Sequence, residues 1–331
     1  MTYEPAEYAL LSDVIDAAGA DEPRRRYAAW LAERGDEARA RVIRASSLAS
    51  LDLASLDEAL EALDTSHFAW SRLVGAQLVR EVCRRDLRPH LEAWWKLARP
   101  AFELVIGPRE DAPVGASRLW GDPDLPEGTP WPTLGQCQRW EDFALPADDP
   151  CQFVAQIDLA ELAASPAARE LPRQGLLSVF SHLEMQKTGS AALHVRHFAE
   201  GPFVRAPHVS TTSEENARRP PQRLTLREAL TIPDAGWSPF SKTMGIGEKD
   251  WDTLEAHREV LFASGGGLLG LLGHTRATSG ADPAPTTEWG RLINVPLDPE
   301  CMRCHVAIRD EDLRAGRLEA HELVWVDFDG E

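Results

Sequence analysis

The chain has 331 residues, 43% hydrophobic and 27% charged, which is length enough for roughly two ordinary domains and excludes a fibrous or wholly disordered class. Its 53 acidic against 35 basic residues give a formal net charge of −18, a field that repels phosphate backbones and anionic lipid and argues against nucleic-acid and membrane partners. No run approaches the roughly 18 apolar residues of a membrane span, and the acidic N-terminus lacks the basic segment of a secretory signal, so the expected address is the cytoplasm with reduced thiols.

Residues 1–100 carry helical spacing. Tyr8, Leu11, Ile15 and Ala18 fall three and four apart, and Asp21 with Pro23 marks a helix start. Tyr27, Trp30 and Leu31 share the face of the next helix, which Gly35 ends and after which Asp36 caps its successor. Ser55 to Glu58 reads as a capping box ahead of a Leu56, Leu60, Leu63 stripe. A longer helix is expected from Ser66 through Trp70, Leu73, Val74 and Leu78 until Pro89 interrupts it. The runs "PRRRY" and "CRRDLR" lie in these helices, where arginines form a solvated face.

The stretch "LLSDVIDAAGADEPRRRYAAWLAERGDEARARVIRAS", with Tyr27, Trp30, Leu31, Glu33, Arg34, Gly35 and Asp36 at fixed spacing, resembles the bacterial repeat-companion domain over about residues 7–46. That module brings no chemistry with it, and the same residues explain themselves as core and caps.

From about residue 101 prolines, glycines and short alternating runs take over. "FELVIG", "QFVAQIDL", "GLLSVF", "LHVRHF", "RLINVPL", "HVAIR" and "HELVWVDF" read as strands, and "IDLAELAAS" and "KDWDTLEAHREVLF" as helices. Without regular strand–helix alternation this predicts an α+β fold: an N-terminal helical module (1–100) followed by a mixed, largely antiparallel β domain with peripheral helices (101–331).

Five segments in order, "SRLWGDPDLPEGTPWP", "CQFVAQIDLAEL", "LPRQGLLSVF", "GLLGLLGHTRATSG" and "CHVAIRDEDLRAGRLEAHELVW", resemble the YwqG-like family of bacterial proteins across nearly this whole region. The insert "GQCQRWEDFALPADDP" and Thr275 depart from the family pattern near its loops. The resemblance supplies no catalytic residues, and family members are encountered near toxin genes, which implies a protein-binding role.

Local motifs for chemistry fail on their setting. "CMRCH", residues 301–305, spells a haem-attachment pattern, but on a strand Cys301 and Cys304 face opposite sides, and Cys304 is expected to pack beside Val306 and Ile308. No second ligand pair completes a zinc site. His194 and His197 likewise face apart, and "GGGLLG" at 265–270 follows a helix rather than the strand a dinucleotide fingerprint requires. No metal or cofactor is expected, and catalytic residues are unassigned.

Trp120, Trp131 and Trp140 lie in a proline-stiffened loop with Pro123, Pro126, Pro130 and Pro132, either as binding anchors or as plugs at the edge of the β core. These three tryptophans with Gln156, Asp158 and His274 are the candidate binding residues. The leading expectation is a non-enzymatic, cytoplasmic binding protein, of immunity or sensing type, for a partner of basic charge. A hydrolase or small-molecule enzyme with a dispersed site near the Trp131 loop and a scaffold are the alternatives.

Overall fold

The computed structural model describes residues 3–17, 19–139, 145–184, 190–209, 219–235, 240–246, 250–263, 269–274, 286–297, 302–320 and 323–328. Trp140, Cys301 and most of the "GGGLLG" run lie outside the described residues.

Helices α1 (Pro5–Asp16), α2 (Asp21–Glu33) and α3 (Glu37–Ala45) pack through a polar thread inside apolar surroundings. The buried Tyr27 hydroxyl donates to Glu7 Oε1 at 2.9 Å and accepts from Trp70 Nε1 at 3.0 Å, while Arg39 reaches the same Glu7 oxygen at 2.5 Å. Every member is paired, as burial of polar atoms demands. Gly35, at φ +79°, ends α2, and Asp36 caps α3 by accepting from the Arg39 amide at 3.1 Å.

Two helix boundaries differ from expectation. Helix α4 (Leu53–Glu61) is capped by Asp52, whose carboxylate accepts from the Ser55 amide at 3.0 Å and hydroxyl at 2.6 Å, so Ser55 sits in the first turn. A carboxylate at a helix N-terminus also gains from the helix dipole, an advantage the serine hydroxyl lacks. The expected long helix splits at Gly75 into α5 (Phe68–Leu73) and α6 (Ala76–Arg84). Gly75 adopts φ +75°, and a Cβ there would lie 3.0 Å from Trp95 Cζ2 and 3.1 Å from Leu230 Cδ2. Close approach of the chain to Trp95 of α7 (Leu91–Leu97) and to the sheet therefore decides the break.

The strands are β1 (Arg99–Ile106), β2 (Arg118–Leu119), β3 (Asp124–Pro126), β4 (Gln138–Arg139), β5 (Gln152–Asp158), β6 (Leu176–Glu184), β7 (Ser190–Phe198), β8 (Phe203–Arg205), β9 (Gln222–Thr231), β10 (Gly270–Leu271), β11 (Trp289–Pro296), β12 (Met302–Arg309) and β13 (Leu323–Phe328). Among the described residues, eleven form one antiparallel sheet in the order β13-β12-β11-β10-β1-β9-β2-β5-β6-β7-β4, and β3 pairs with β8 in a separate ribbon. The sheet curls, because β11 meets β5 and β13 meets β7 across strands that lie far apart in that order. Helices α8 (Ser241–Met244), α9 (Trp251–Ala263) and α10 (Asp310–Arg314) are peripheral, and in place of the helix expected over "IDLAELAAS" the chain finishes β5 and makes a short 3-10 turn at Leu159–Glu161, followed by another at Pro166–Ala168. The fold is α+β.

One apolar cluster runs from Leu11, Tyr27 and Trp70 in the helices through Trp94 and Trp95 to Phe102, Leu224, Leu230, Val306 and Ile308 in the sheet. Cys304 lies in that cluster, fully buried, beside Val306 and Ile308 on β12. The helices thus supply one wall of the core that the sheet needs. A polar tie joins them at the chain's start: the Tyr3 hydroxyl donates to Glu228 Oε2 on β9 at 2.7 Å, and Ser165 donates to the other oxygen. Tyr3→Phe leaves this buried carboxylate one donor short and is expected to lower stability by about 1–3 kcal/mol, read as a shift of the urea midpoint at unchanged slope.

Candidate functional site

Strand β2 ends in an unusual turn. Trp120 takes φ +53° and Gly121 φ +78°, two successive left-handed residues that swing the chain out of the sheet. Glycine suits this conformation, and Trp120 holds it at a steric cost. Its indole is only 4% exposed, beneath the Arg219 guanidinium at 5.7 Å, and its backbone amide donates to the Val154 carbonyl at 2.7 Å. Trp120 therefore belongs to the core wall.

Beyond the turn the chain meets a buried ion cluster. Asp124, fully buried on β3, accepts from Arg118 Nη2 at 2.6 Å, Arg205 Nε at 2.7 Å, Gln156 Nε2 at 2.8 Å and the Gly115 amide at 2.8 Å. Arg118 is itself fully buried on β2, and Arg205 on β8 continues to the exposed Asp111 at 2.6 Å and the Ala112 carbonyl at 2.8 Å. Burial pushes the Asp124 carboxyl up, but the hydrogen bonds from Arg205, Arg118, Gly115 and Gln156 outweigh it and hold the group below the usual carboxylate range. Three donors converge on Oδ2 and Arg205 holds Oδ1, so the carboxylate is committed to two guanidinium partners and to the surrounding backbone. It braces the loop before β2, the turn after it, and the β3–β8 ribbon.

Gln156 is fully spent in the same cluster: its amide nitrogen donates to the Ala116 carbonyl at 2.9 Å as well as to Asp124, and its oxygen accepts from the Asp124 amide at 2.9 Å. Asp158 caps the turn after β5 by accepting from the Ala160 amide at 2.9 Å. Trp131 is half-buried, donates Nε1 to the Cys151 carbonyl at 2.7 Å, and meets Phe180 and His208 edge-on at 6.1 and 6.3 Å. It packs against a second apolar cluster of Leu125, Cys151, Phe153, Phe180 and Phe198. Beside it, Asp149 Oδ2 accepts from His182 Nε2 at 2.5 Å, both groups buried.

His274 joins a different set of neighbours. Its Nε2 donates to the Leu97 carbonyl at 2.6 Å, its amide donates to Thr231 Oγ1 at 3.1 Å, and its ring stands edge-on to Phe240. Burial, with Arg99 nearby, pulls its pKa down to about 3, so the imidazole is neutral. The structure thus brings Gln156 and Trp131 to one end of the sheet, on either side of the β3 ribbon, and leaves His274 and Asp158 as joints elsewhere. Spacing gives no hint of the Asp124–Arg205 pairing, because the partners are 81 residues apart, with four other strands between them in the chain.

A cleft of about 200 Å³ lies between Asp16 of α1, Arg99 and Asp310, with Arg169, Arg291 and Arg314 around it. Arg99 closes on both Asp310 oxygens at 2.8 and 2.9 Å. None of the candidate residues lines this cleft.

A curled antiparallel sheet braced by a buried ion cluster defines an α+β protein with an internally committed polar core. A family profile described as a domain of unknown function, DUF1963, matches residues 117–318, and the chain belongs to that family. No curated protein matches the chain.

Two measurements test the electrostatics. Asp124→Asn leaves Arg118 buried without its counter-ion and is expected to cost about 3–5 kcal/mol at neutral pH. Because the folded carboxyl ionises below its unfolded value of about 3.9, that contribution is present above this pH and fades as pH falls through the folded value, so the gap to wild type narrows in acid. His274 has the opposite protonation pattern in the unfolded chain, which takes up a proton near pH 6.5 that the folded chain refuses until about pH 3. Its stability contribution is complete above about pH 6.5 and lost at up to about 1.4 kcal/mol per unit below it, a slope that His274→Gln should reduce while preserving a donor to Leu97.

Proposed function

We propose that this chain is a non-enzymatic binding protein whose docking surface is the β3–β8 ribbon and the adjoining Trp131 loop. The observation that carries the reading is a set of exposed apolar side chains on a rigid base: Val114 is 52%, Val204 43% and Val209 37% exposed. Val114 precedes Gly115 and Val204 precedes Arg205, and both of those residues bind the buried Asp124. A pre-organised apolar patch loses little ordering entropy on association. Half-buried Trp131 and Phe203, which precedes Val204, both pack on the second apolar cluster and are aromatic anchors of the kind that dominate interface energies.

The occupant is a protein of basic charge. Glu110 and Asp111 are exposed shortly before Val114 and Glu127 is exposed directly after β3, and the net charge of −18 steers a cationic partner toward the surface. The YwqG-like resemblance, and the toxin genes near which such proteins are found, fit an immunity or sensing role in the cytoplasm. In this reading residues 1–100, repeat-companion-like at their start, buttress the 101–331 region that binds.

The hydrolase alternative loses support from the residues it needed. Gln156 is spent on backbone and Asp124, Asp158 holds the Ala160 amide at the turn after β5, and His274 is a neutral joint among other elements. Contact with Cys137 and burial push the Cys151 thiol up, away from the thiolate a nucleophile requires.

The test compares the full chain with Val114→Asp/Val204→Asp, a double variant at exposed sites whose melting should stay unchanged. Used as baits against lysate of the native host, wild type should retain a basic protein that the variant retains at least about tenfold less, and added salt should weaken that capture. Equal capture by both baits, or no basic protein retained by wild type, rejects the surface.

A further inference from the structure

Two thiols far from the Cys301 motif meet at the foot of the same loop. Cys137 Sγ lies 3.2 Å from Cys151 Sγ, against about 2.05 Å in a disulfide. The surrounding backbone fixes both ends of this contact. Thr133 bridges Pro150, the Leu134 amide donates to the Asp149 carbonyl at 2.9 Å, and the Cys151 amide donates to the Pro132 carbonyl at 2.9 Å. Cys137 is half-buried and directly precedes β4, while Cys151 is fully buried and directly precedes β5. By contrast Cys83 lies in α6 and Cys304 is enclosed in β12, each apart from any other described thiol.

We infer that Cys137 and Cys151 form a reversible dithiol–disulfide site whose oxidant is a low-molecular-weight disulfide of the glutathione type. Cys137 is the sulfur such a reagent reaches first, since the partner is sealed inside. Its thiolate attacks one sulfur of the reagent, forms a mixed disulfide and releases one small thiolate. That thiolate, or solvent base, takes the proton from Cys151, whose sulfur then attacks Cys137 Sγ and expels the second small thiol. Two protein S–H bonds and one reagent S–S bond are lost, and one protein S–S bond and two small-molecule S–H bonds are gained. The raised Cys151 thiol makes the resolving step wait for the mixed disulfide rather than compete with the first attack.

The site has a structural consequence. Strand β4 lies at one end of the sheet and, among the described residues, is attached through two residue pairs, Gln138 with Leu193 and Arg139 with Ala192. Oxidation ties the start of this strand covalently to the start of β5, and Trp131, bonded to the Cys151 carbonyl, sits against the same joint. The state of the thiols therefore sets how firmly the start of β4 is held to the start of β5. The inference rests on this sulfur geometry and stands whether or not the ribbon binds a partner.

The reduced full chain is incubated with oxidised glutathione, quenched with an alkylating reagent, and analysed by non-reducing peptide mapping. The expected product has lost two hydrogen atoms, links the Cys137 and Cys151 peptides, shows a free-thiol count lowered by two from five, and returns to the start on adding dithiothreitol. Cys137→Ser, at the half-exposed position, should abolish the linked peptide while keeping wild-type melting. In Cys151→Ser, Cys137 should accumulate as a stable glutathione adduct. A wild-type chain that stops at the glutathione adduct, or that links either cysteine to Cys83 or Cys304 instead, overturns the assignment.

Discussion

The buried pair of Arg118 and Asp124 is the constraint on which this end of the molecule depends. Removing two charges from water costs several kcal/mol per ion, and their attraction alone does not guarantee repayment. Here the repayment is distributed: Arg205, Gln156 and the Gly115 amide satisfy the remaining carboxylate capacity, so no oxygen of Asp124 is left bare. The requirement runs in both directions. If the ribbon strand β8 lifts away, Arg205 leaves and the buried carboxylate loses a counter-ion; if β5 shifts, Gln156 releases both Asp124 and the Ala116 carbonyl. The ribbon, the turn through Trp120 and the loop around Val114 are therefore held as a unit by one desolvated charge.

Much of the architecture is legible in the sequence, and the exceptions have physical causes. The α2–α3 region reads correctly because its signals are local: Tyr27 and Leu31 on one face, a left-handed Gly35, a capping Asp36. Gly75 is equally visible as a residue, but its break depends on Trp95 and Leu230, which tertiary packing brings within 3.1 Å. The central strand β9 escapes notice for a different reason. "QRLTLREALT" is built from Leu, Arg, Glu and Ala, strong helix formers, and only its alternating Leu224 and Leu226 betray a strand. Two-residue β2 and three-residue β3 and β8 are too short to carry any periodicity.

The candidate site is less legible than the fold. Gln156 and Trp131 stand out as residues, and the structure places them at one end of the sheet, yet their hydrogen bonds reach Asp124 and Cys151, which carry no local mark. Arg118, Arg205 and Asp124 come from strands separated in sequence, so no spacing rule connects them. The same limit hides the meeting of Cys137 with Cys151: they are 14 residues apart with no motif spacing, and backbone bonds from Pro132, Thr133 and Leu134 to residues 149–151 bring them together. The "CMRCH" pattern shows the reverse case, where a visible motif is answered by strand geometry and Cys304 becomes core.

Composition and architecture meet in the arginines, which outnumber lysines by 31 to 4. A lysine at 118 would bring one point charge to Asp124, whereas the guanidinium spans Asp124 at 2.6 Å and also approaches the Gln156 oxygen and the Ala112 carbonyl at 3.4 Å each. Arg99 does the same at the other end of the sheet, holding both oxygens of Asp310 and the carbonyls of Thr287 and Trp289. In both places a planar fork reaches segments beyond those its own strand pairs with: Asp124 and Ala112 for Arg118, and Asp310 and Thr287 for Arg99. A curled sheet with a helical wall on one core needs such cross-ties at its ends, and among the described residues Arg24, Arg72, Arg118 and Arg291 are buried in such roles. Other arginines meet carboxylates at the surface, as Arg25 meets Glu22 and Arg44 meets Glu37, so one side chain type locks the fold where it is buried and offsets the acidic excess where it is exposed.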